Sequence, residues 1–149
     1  MTQKIWRLEI DALEPKGGAV IHIVGAADDN DPLDALLFFA STQSLAIIEG
    51  AVRLTLPREV RRRLVECSVP DDVWEAREKM DGDSGHGHSH LRGRRSLSMD
   101  LSSWSGSRRS AVLAVPCLMA PEERIVIVNR RHPDARRITA RTVASGHYI

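Results

Sequence analysis

The stretch from Leu36 to Leu56 constrains this chain most, because a short apolar run passes directly into a helical pattern. Leu36 to Phe39 reads as a buried strand. Ser41 or Thr42 then offers a side-chain oxygen to the unpaired N–H groups of a helix start. Leu45, Ile48 and Val52 recur at helical spacing, with Ile47 and Ala51 beside them, which predicts a helix over 42–54 with those residues on its buried face. Glu49 stands inside this apolar segment. A carboxylate there must reach water or a partner, because an unpaired buried charge costs several kcal/mol.

The rest of the chain reads as strands with irregular helical pieces. Lys4 to Ile10 alternates Ile5, Arg7 and Glu9 against Trp6, Leu8 and Ile10, the pattern of a half-buried strand. Pro15 and Gly17-Gly18 predict a turn, and Ala19 to Val24 a second strand. Ala27 to Asp34 is an acidic loop, read as solvated rather than cation-binding. Leu56-Pro57 ends the helix. Val65 to Val69 is a short strand closed by a turn at Pro70-Asp71-Asp72. Val73 to Met80 forms a helical turn or two anchored by Trp74, and 101–110 a weak helix or turn around Trp104. Ala111–Val115, Arg124–Asn129 and Ile138–Val143 are the remaining strands, with turns at Pro121 and over 129–133. Strands and helices interleave without a regular βα repeat, so the expected fold is a single α+β domain over 1–149 with a twisted mixed or antiparallel sheet.

Composition narrows the partners. Lys and Arg number 21 against 20 Asp and Glu, which suggests no direct nucleic-acid partner, although arginine clusters at 61–63, 92–95, 108–109 and 130–137. The N-terminus lacks an apolar signal core and no 18-residue apolar run occurs, so a cytoplasmic chain with no membrane partner is expected. Two cysteines imply no disulfide framework, and a structural thiol is the expected role for Cys117 when it is read from the residues alone. Residues 81–98 are polar, without apolar period, and read as a mobile surface loop. Its His86, His88 and His90 lack preorganisation, so no dedicated metal site is expected.

In order, these segments resemble the RES-domain family, toxins of bacterial toxin–antitoxin pairs named after an Arg, a Glu and a Ser. Five pieces covering nearly the whole chain carry the resemblance: Ile5-Trp6-Arg7-Leu8; Phe38-Phe39-Ala40-Ser41 through Leu45-Ala46-Ile47-Ile48-Glu49; Val69-Pro70-Asp71-Asp72; Trp104 with Val112 to Cys117; and Asn129 with His132-Pro133-Asp134-Ala135. The resemblance implies an ADP-ribosyltransferase-like fold that cleaves the nicotinamide–ribose bond of NAD. ADP-ribose then passes to water, phosphate or a protein. It makes NAD a substrate rather than a cofactor and implies a cognate antitoxin. It also implies that Glu49 is the catalytic carboxylate, with Arg7, Phe38 and Cys117 binding substrate. A carboxylate suits the oxocarbenium-like state of such a cleavage, and an Arg suits a pyrophosphate.

Three motif positions depart from the family's pattern. The family's Arg falls on Asp28, its Tyr on Phe38 and its Ser on Cys117. One reading gives the pyrophosphate clamp to Arg53, one turn after Glu49 on the expected helix. A second is a catalytically decayed domain that acts as a binding protein. A third is an unrelated small binding domain.

Overall fold

The computed structural model describes residues 2–10, 18–19, 35–53, 61–80, 101–117, 120 and 122–146, with the side chains of 10, 18, 19 and 51–53 outside that description. The acidic loop with Asp28, the 54–60 segment ending the helix, the 81–98 loop with its histidines, and the Arg53 side chain therefore lie outside the described residues.

Its strands are β1 (Thr2–Ile10), β2 (Gly18–Ala19), β3 (Leu36–Ala40), β4 (Arg62–Pro70), β5 (Glu78–Lys79), β6 (Val112–Pro116), β7 (Arg124–Asn129) and β8 (Thr139–Gly146). Helix α1 (Gln43–Arg53) follows β3, and α2 (Asp71–Glu75) follows β4. Residues 101–107 are helical, and a short 3₁₀ helix spans Pro133–Arg137. The eight strands among the described residues join one sheet in the order β2-β8-β4-β1-β3-β7-β6-β5. Every pairing is antiparallel except β5 with β6, so the sheet is mixed and the architecture is α+β.

Apolar layers cover both faces of the sheet. On one, Ile5, Leu37, Phe39, Val65, Cys67, Val112, Val126 and Val128 pack with Val73 of α2 and with Ala135 and Ile138 around the 3₁₀ helix. On the other, Leu8, Ala40 and Leu64 lie under Leu45 and Ala46 of α1, while Leu36, Leu113 and Ile127 meet Leu101 and Trp104. Double coverage explains why β6 and β7 read as continuous apolar runs rather than alternating ones. It also corrects the half-buried reading of β1, since Ile5 and Leu8 are both buried although they face opposite layers.

Two local expectations change as well. Pro70-Asp71-Asp72 does not close a turn; Pro70 stands at the N-cap position of α2 without a side-chain capping bond, and the two aspartates occupy its first turn, where the helix dipole favours negative charge. Its anchor is Val73 rather than Trp74, which stays half-buried beneath the Arg77 guanidinium, 4.4 Å above the ring centre. The Trp104 expectation holds. Its indole donates to Ser110 Oγ at 2.9 Å, and Ser110 Oγ donates on to the Val112 carbonyl at 3.0 Å. Asn129 is fully buried and serves structure: Nδ2 donates to the Ser105 carbonyl and Oδ1 accepts from the Arg131 N–H.

Candidate active site

Strand β1 has two unlike neighbours. It pairs with β4 along its whole length, from Thr2↔Pro70 to Ile10↔Arg62. With β3 it pairs only at Trp6↔Ala40. Beyond that pair the sheet opens, and a cavity of about 300 Å³ lies in the opening, lined by Trp6, Arg7, Phe38, Ala40, Ala46 and Glu49 among others. Its size falls at the lower end of small-molecule sites.

The strand–helix junction sets one wall. Ser41 N donates to the Arg124 carbonyl and Ser41 Oγ accepts from Arg124 N, both at 3.0 Å, continuing the β3–β7 ladder past the end of β3. Thr42 is the residue that caps α1, accepting from Leu45 N at 3.2 Å and donating to Glu123 Oε1 at 3.0 Å. From this fixed start α1 runs over β1 with Leu45, Ala46 and Gly50 buried. Ile48, expected on the buried face, is instead 52% exposed.

Gly50 gives the reason. A Cβ built there would stand 2.6 Å from Leu8 Cβ and 2.8 Å from Leu8 Cδ2, so only glycine lets the helix backbone settle onto β1. With Gly50 turned down, Ala46 and Glu49 turn towards the cavity and Ile48 turns away. Glu49 is half-buried, and Cys117 Sγ donates to its Oε1 at 3.8 Å. Cys117 is itself buried behind that carboxylate and is not among the cavity-lining residues.

Arg7 forms the opposite wall. Its Nη1 donates to the Phe38 carbonyl at 3.1 Å, where a β1–β3 ladder bond would otherwise fall. Its Nε lies 3.1 Å from Glu9 Oε1, out of line for a hydrogen bond. Glu9 in turn accepts at Oε2 from Arg63 Nη2 at 2.9 Å and Arg63 Nε at 3.3 Å, a fork across the Glu9↔Arg63 register. Burial pushes the Glu9 carboxyl above its ordinary range, while the positive charges of Arg7 and Arg63 pull against that shift. At the cavity wall, Trp6 Nε1 is buried with no hydrogen-bond partner among the described residues.

The structure thus gathers Arg7, Phe38 and Glu49 around one cavity, with Cys117 touching Glu49 from behind. Arg53 is the last residue of α1, and Asp28 lies outside the described residues. Sequence reading missed Glu9, Arg63 and Gly50. A glycine inside a helical pattern and a lone charge inside a strand were the available signals, and each needed the register to become specific. Among the described residues no group of three or more His, Cys, Asp and Glu side chains could hold a metal ion, and no helix is long and apolar enough to cross a membrane.

No protein-family model matches the chain. A curated relative, the "Prs ADP-ribosylating toxin" of Sphingobium sp. (strain YBL2), is 36% identical over 157 residues, covering 99% of this chain and 95% of the relative.

Proposed function

The chain belongs to the family of ADP-ribosylating toxins, and from that premise we propose that it transfers ADP-ribose from NAD to an acceptor with Glu49 as its catalytic carboxylate. The observation that carries this reading is the position of Glu49 on the wall of the opening between β1 and β3, facing Arg7 and Phe38. In the proposed step the nicotinamide–ribose bond breaks, and its electron pair leaves with nicotinamide, which becomes neutral. The ribosyl carbon carries developing positive charge until the acceptor's lone pair closes on it. A carboxylate beside that carbon lowers the barrier electrostatically.

The other roles follow the same geometry. Phe38 offers a ring for nicotinamide to stack on, and the Trp6 indole N–H offers a donor. Arg7 supplies the guanidinium for the pyrophosphate, and Arg53 is a second candidate for that clamp. Cys117 sets the Glu49 carboxylate through its S–H contact. We assign the fold to the ADP-ribosyltransferase type and the chain to its RES-domain branch, acting in the cytoplasm and held by a cognate antitoxin over the cavity. The acceptor we favour is a protein, with the relative's Prs the first to try. Water and phosphate are the alternatives. One observation favours the decayed-domain reading: Arg7 already donates to the Phe38 carbonyl and lies against Glu9.

The test compares wild type with Glu49→Gln, following both NAD loss and label transferred from radiolabelled NAD to Prs. Glu49→Gln should lower both by about 10²–10³-fold while leaving the thermal midpoint unchanged. Turnover that persists undiminished in the variant removes Glu49 from the mechanism. Equal inertness of both proteins selects the decayed domain.

A further inference from the structure

Far from Glu49, a second cavity of about 630 Å³ is lined by Arg108, Arg130, Arg131, His132, Pro133 and Arg136 among the described residues. It lies beyond the other end of β7. Ile125 borders the first cavity and Arg130 the second, five residues apart, or roughly 17 Å at the rise of an extended strand. Three elements converge there: the turn after the 101–107 helix brings Arg108, the end of β7 brings Arg130 and Arg131, and the 3₁₀ helix brings Arg136.

We propose that this cavity is a separate binding site for a small compound carrying two or more linked phosphate groups. Arg108 and Arg136 are both exposed, and neither has an ion-pair partner among the described residues. The neighbouring Arg137 is excluded from the cavity, because its guanidinium forks onto Asp72 at 2.6 and 2.8 Å. Arg130 is anchored at the Ala35 carbonyl, which accepts from its backbone N–H at 2.9 Å and from its Nε at 3.4 Å. His132 is fixed by the backbone too. Its Nδ1 accepts from Asp134 N at 3.0 Å, so in the neutral ring the proton sits on Nε2, a donor. Every lining residue with a charged or polar side chain is thus a donor, and guanidinium forks match phosphate oxygens in geometry as well as charge.

Shape and charge favour a small ligand over a nucleic acid. The volume lies within the usual small-molecule range, and the chain's formal charge of +1 supplies little net attraction for a long polyanion. The inference goes beyond the NAD chemistry and does not depend on it.

The probe is inorganic tripolyphosphate, titrated by calorimetry against the full chain at constant ionic strength, with sulfate, a single unlinked dianion, as the control. Arg108 has φ 53°, in the left-handed region that asparagine tolerates, so the charge-removing variant is Arg108→Asn combined with Arg136→Gln. Tripolyphosphate should bind saturably at one site, at least tenfold tighter than sulfate. The double variant should lose at least tenfold in affinity with an unchanged thermal midpoint, whereas Glu49→Gln should bind as wild type does. The proposal is overturned by binding that the double variant retains, by binding that Arg7→Lys weakens as much as the double variant does (which would place the probe in the first cavity), or by no preference over sulfate, an adventitious ion only. Tight binding of duplex DNA or an acidic peptide by a chain that ignores tripolyphosphate overturns it too.

Discussion

The two edges of β1 were made by the same nine residues, yet one is closed and the other open. Towards β4 every residue is paired, and the buried charges Glu9 and Arg63 face each other across the register. Towards β3 a single pair holds, and the Arg7 side chain takes the Phe38 carbonyl beyond it. A closed seam leaves no room for a ligand and concentrates stability. An open seam leaves backbone and side-chain groups facing a cavity, as function requires. Substitutions on the two seams should therefore separate, the first lowering stability and the second lowering turnover.

The largest stability effect is expected at Arg63. Arg63→Met keeps apolar bulk but removes both donors that reach Glu9 Oε2, leaving a carboxylate only 8% exposed. Breaking one side of a buried pair typically costs about 3–5 kcal/mol. Urea unfolding should show that drop, and a loss below about 1 kcal/mol would mean that the closed seam owes little to this pair.

Gly50→Ala sits between the seams and should do both kinds of damage. The added methyl meets Leu8 Cβ at 2.6 Å, so α1 must lift from β1 and carry Glu49 with it. Overpacking of this kind costs about 1–3 kcal/mol, against roughly 1 kcal/mol gained from better helix propensity. Pairing Gly50→Ala with Leu8→Gly, which removes Cβ as well as Cδ2, should recover turnover lost by Gly50→Ala alone, a coupling read by a double-mutant cycle. Additive losses would separate the helix position from that contact.

At Arg7 the stability effect becomes small and the functional one dominates. Arg7→Lys retains the charge but loses the planar fork and the bond to the Phe38 carbonyl, for about 1 kcal/mol of stability. If Arg7 holds the pyrophosphate, the Michaelis constant for NAD should rise about tenfold with the turnover number little changed. A fall in the turnover number alone would place Arg7 nearer the reacting carbon.

How much of this was legible beforehand differs between the seams. Local signals succeeded where one residue sufficed. The Leu36–Phe39 run gave β3, and the oxygen at Thr42 gave the start of α1. The sheet's doubly covered faces were hidden, because Arg7 and Glu9 imitate the polar half of an alternating strand although Glu9 is buried. Helix rotation was misread for a related reason. Periodicity ranked Ile48 above Gly50 as an inward residue, but contact with Leu8 favours the residue with no side chain. Of the candidate residues, Glu49 drew notice as a charge in an apolar helix, whereas Arg7 and Phe38 needed the resemblance, and their meeting needed the register of β1 against β3.

The finest test of the closed seam is the pH dependence of Glu9. Burial raises its folded-state carboxyl above the ordinary 4.5, against the pull of Arg7 and Arg63. Between 4.5 and that raised value the folded chain holds more protons at this site than the unfolded chain. Stability contributed by the protonated carboxyl is therefore fully present below 4.5 and is lost as pH rises through the raised value. Glu9→Gln keeps the shape of the protonated form and cannot titrate, so wild type should lose stability relative to this variant as pH rises across that window. In the Arg63→Met background the same loss should be steeper and extend to higher pH, because one opposing charge is gone. Wild type gaining on Glu9→Gln with rising pH would reverse the sign. The two guanidinium groups would then outweigh burial, and the closed seam would be held by its ion pairs rather than merely tolerating them.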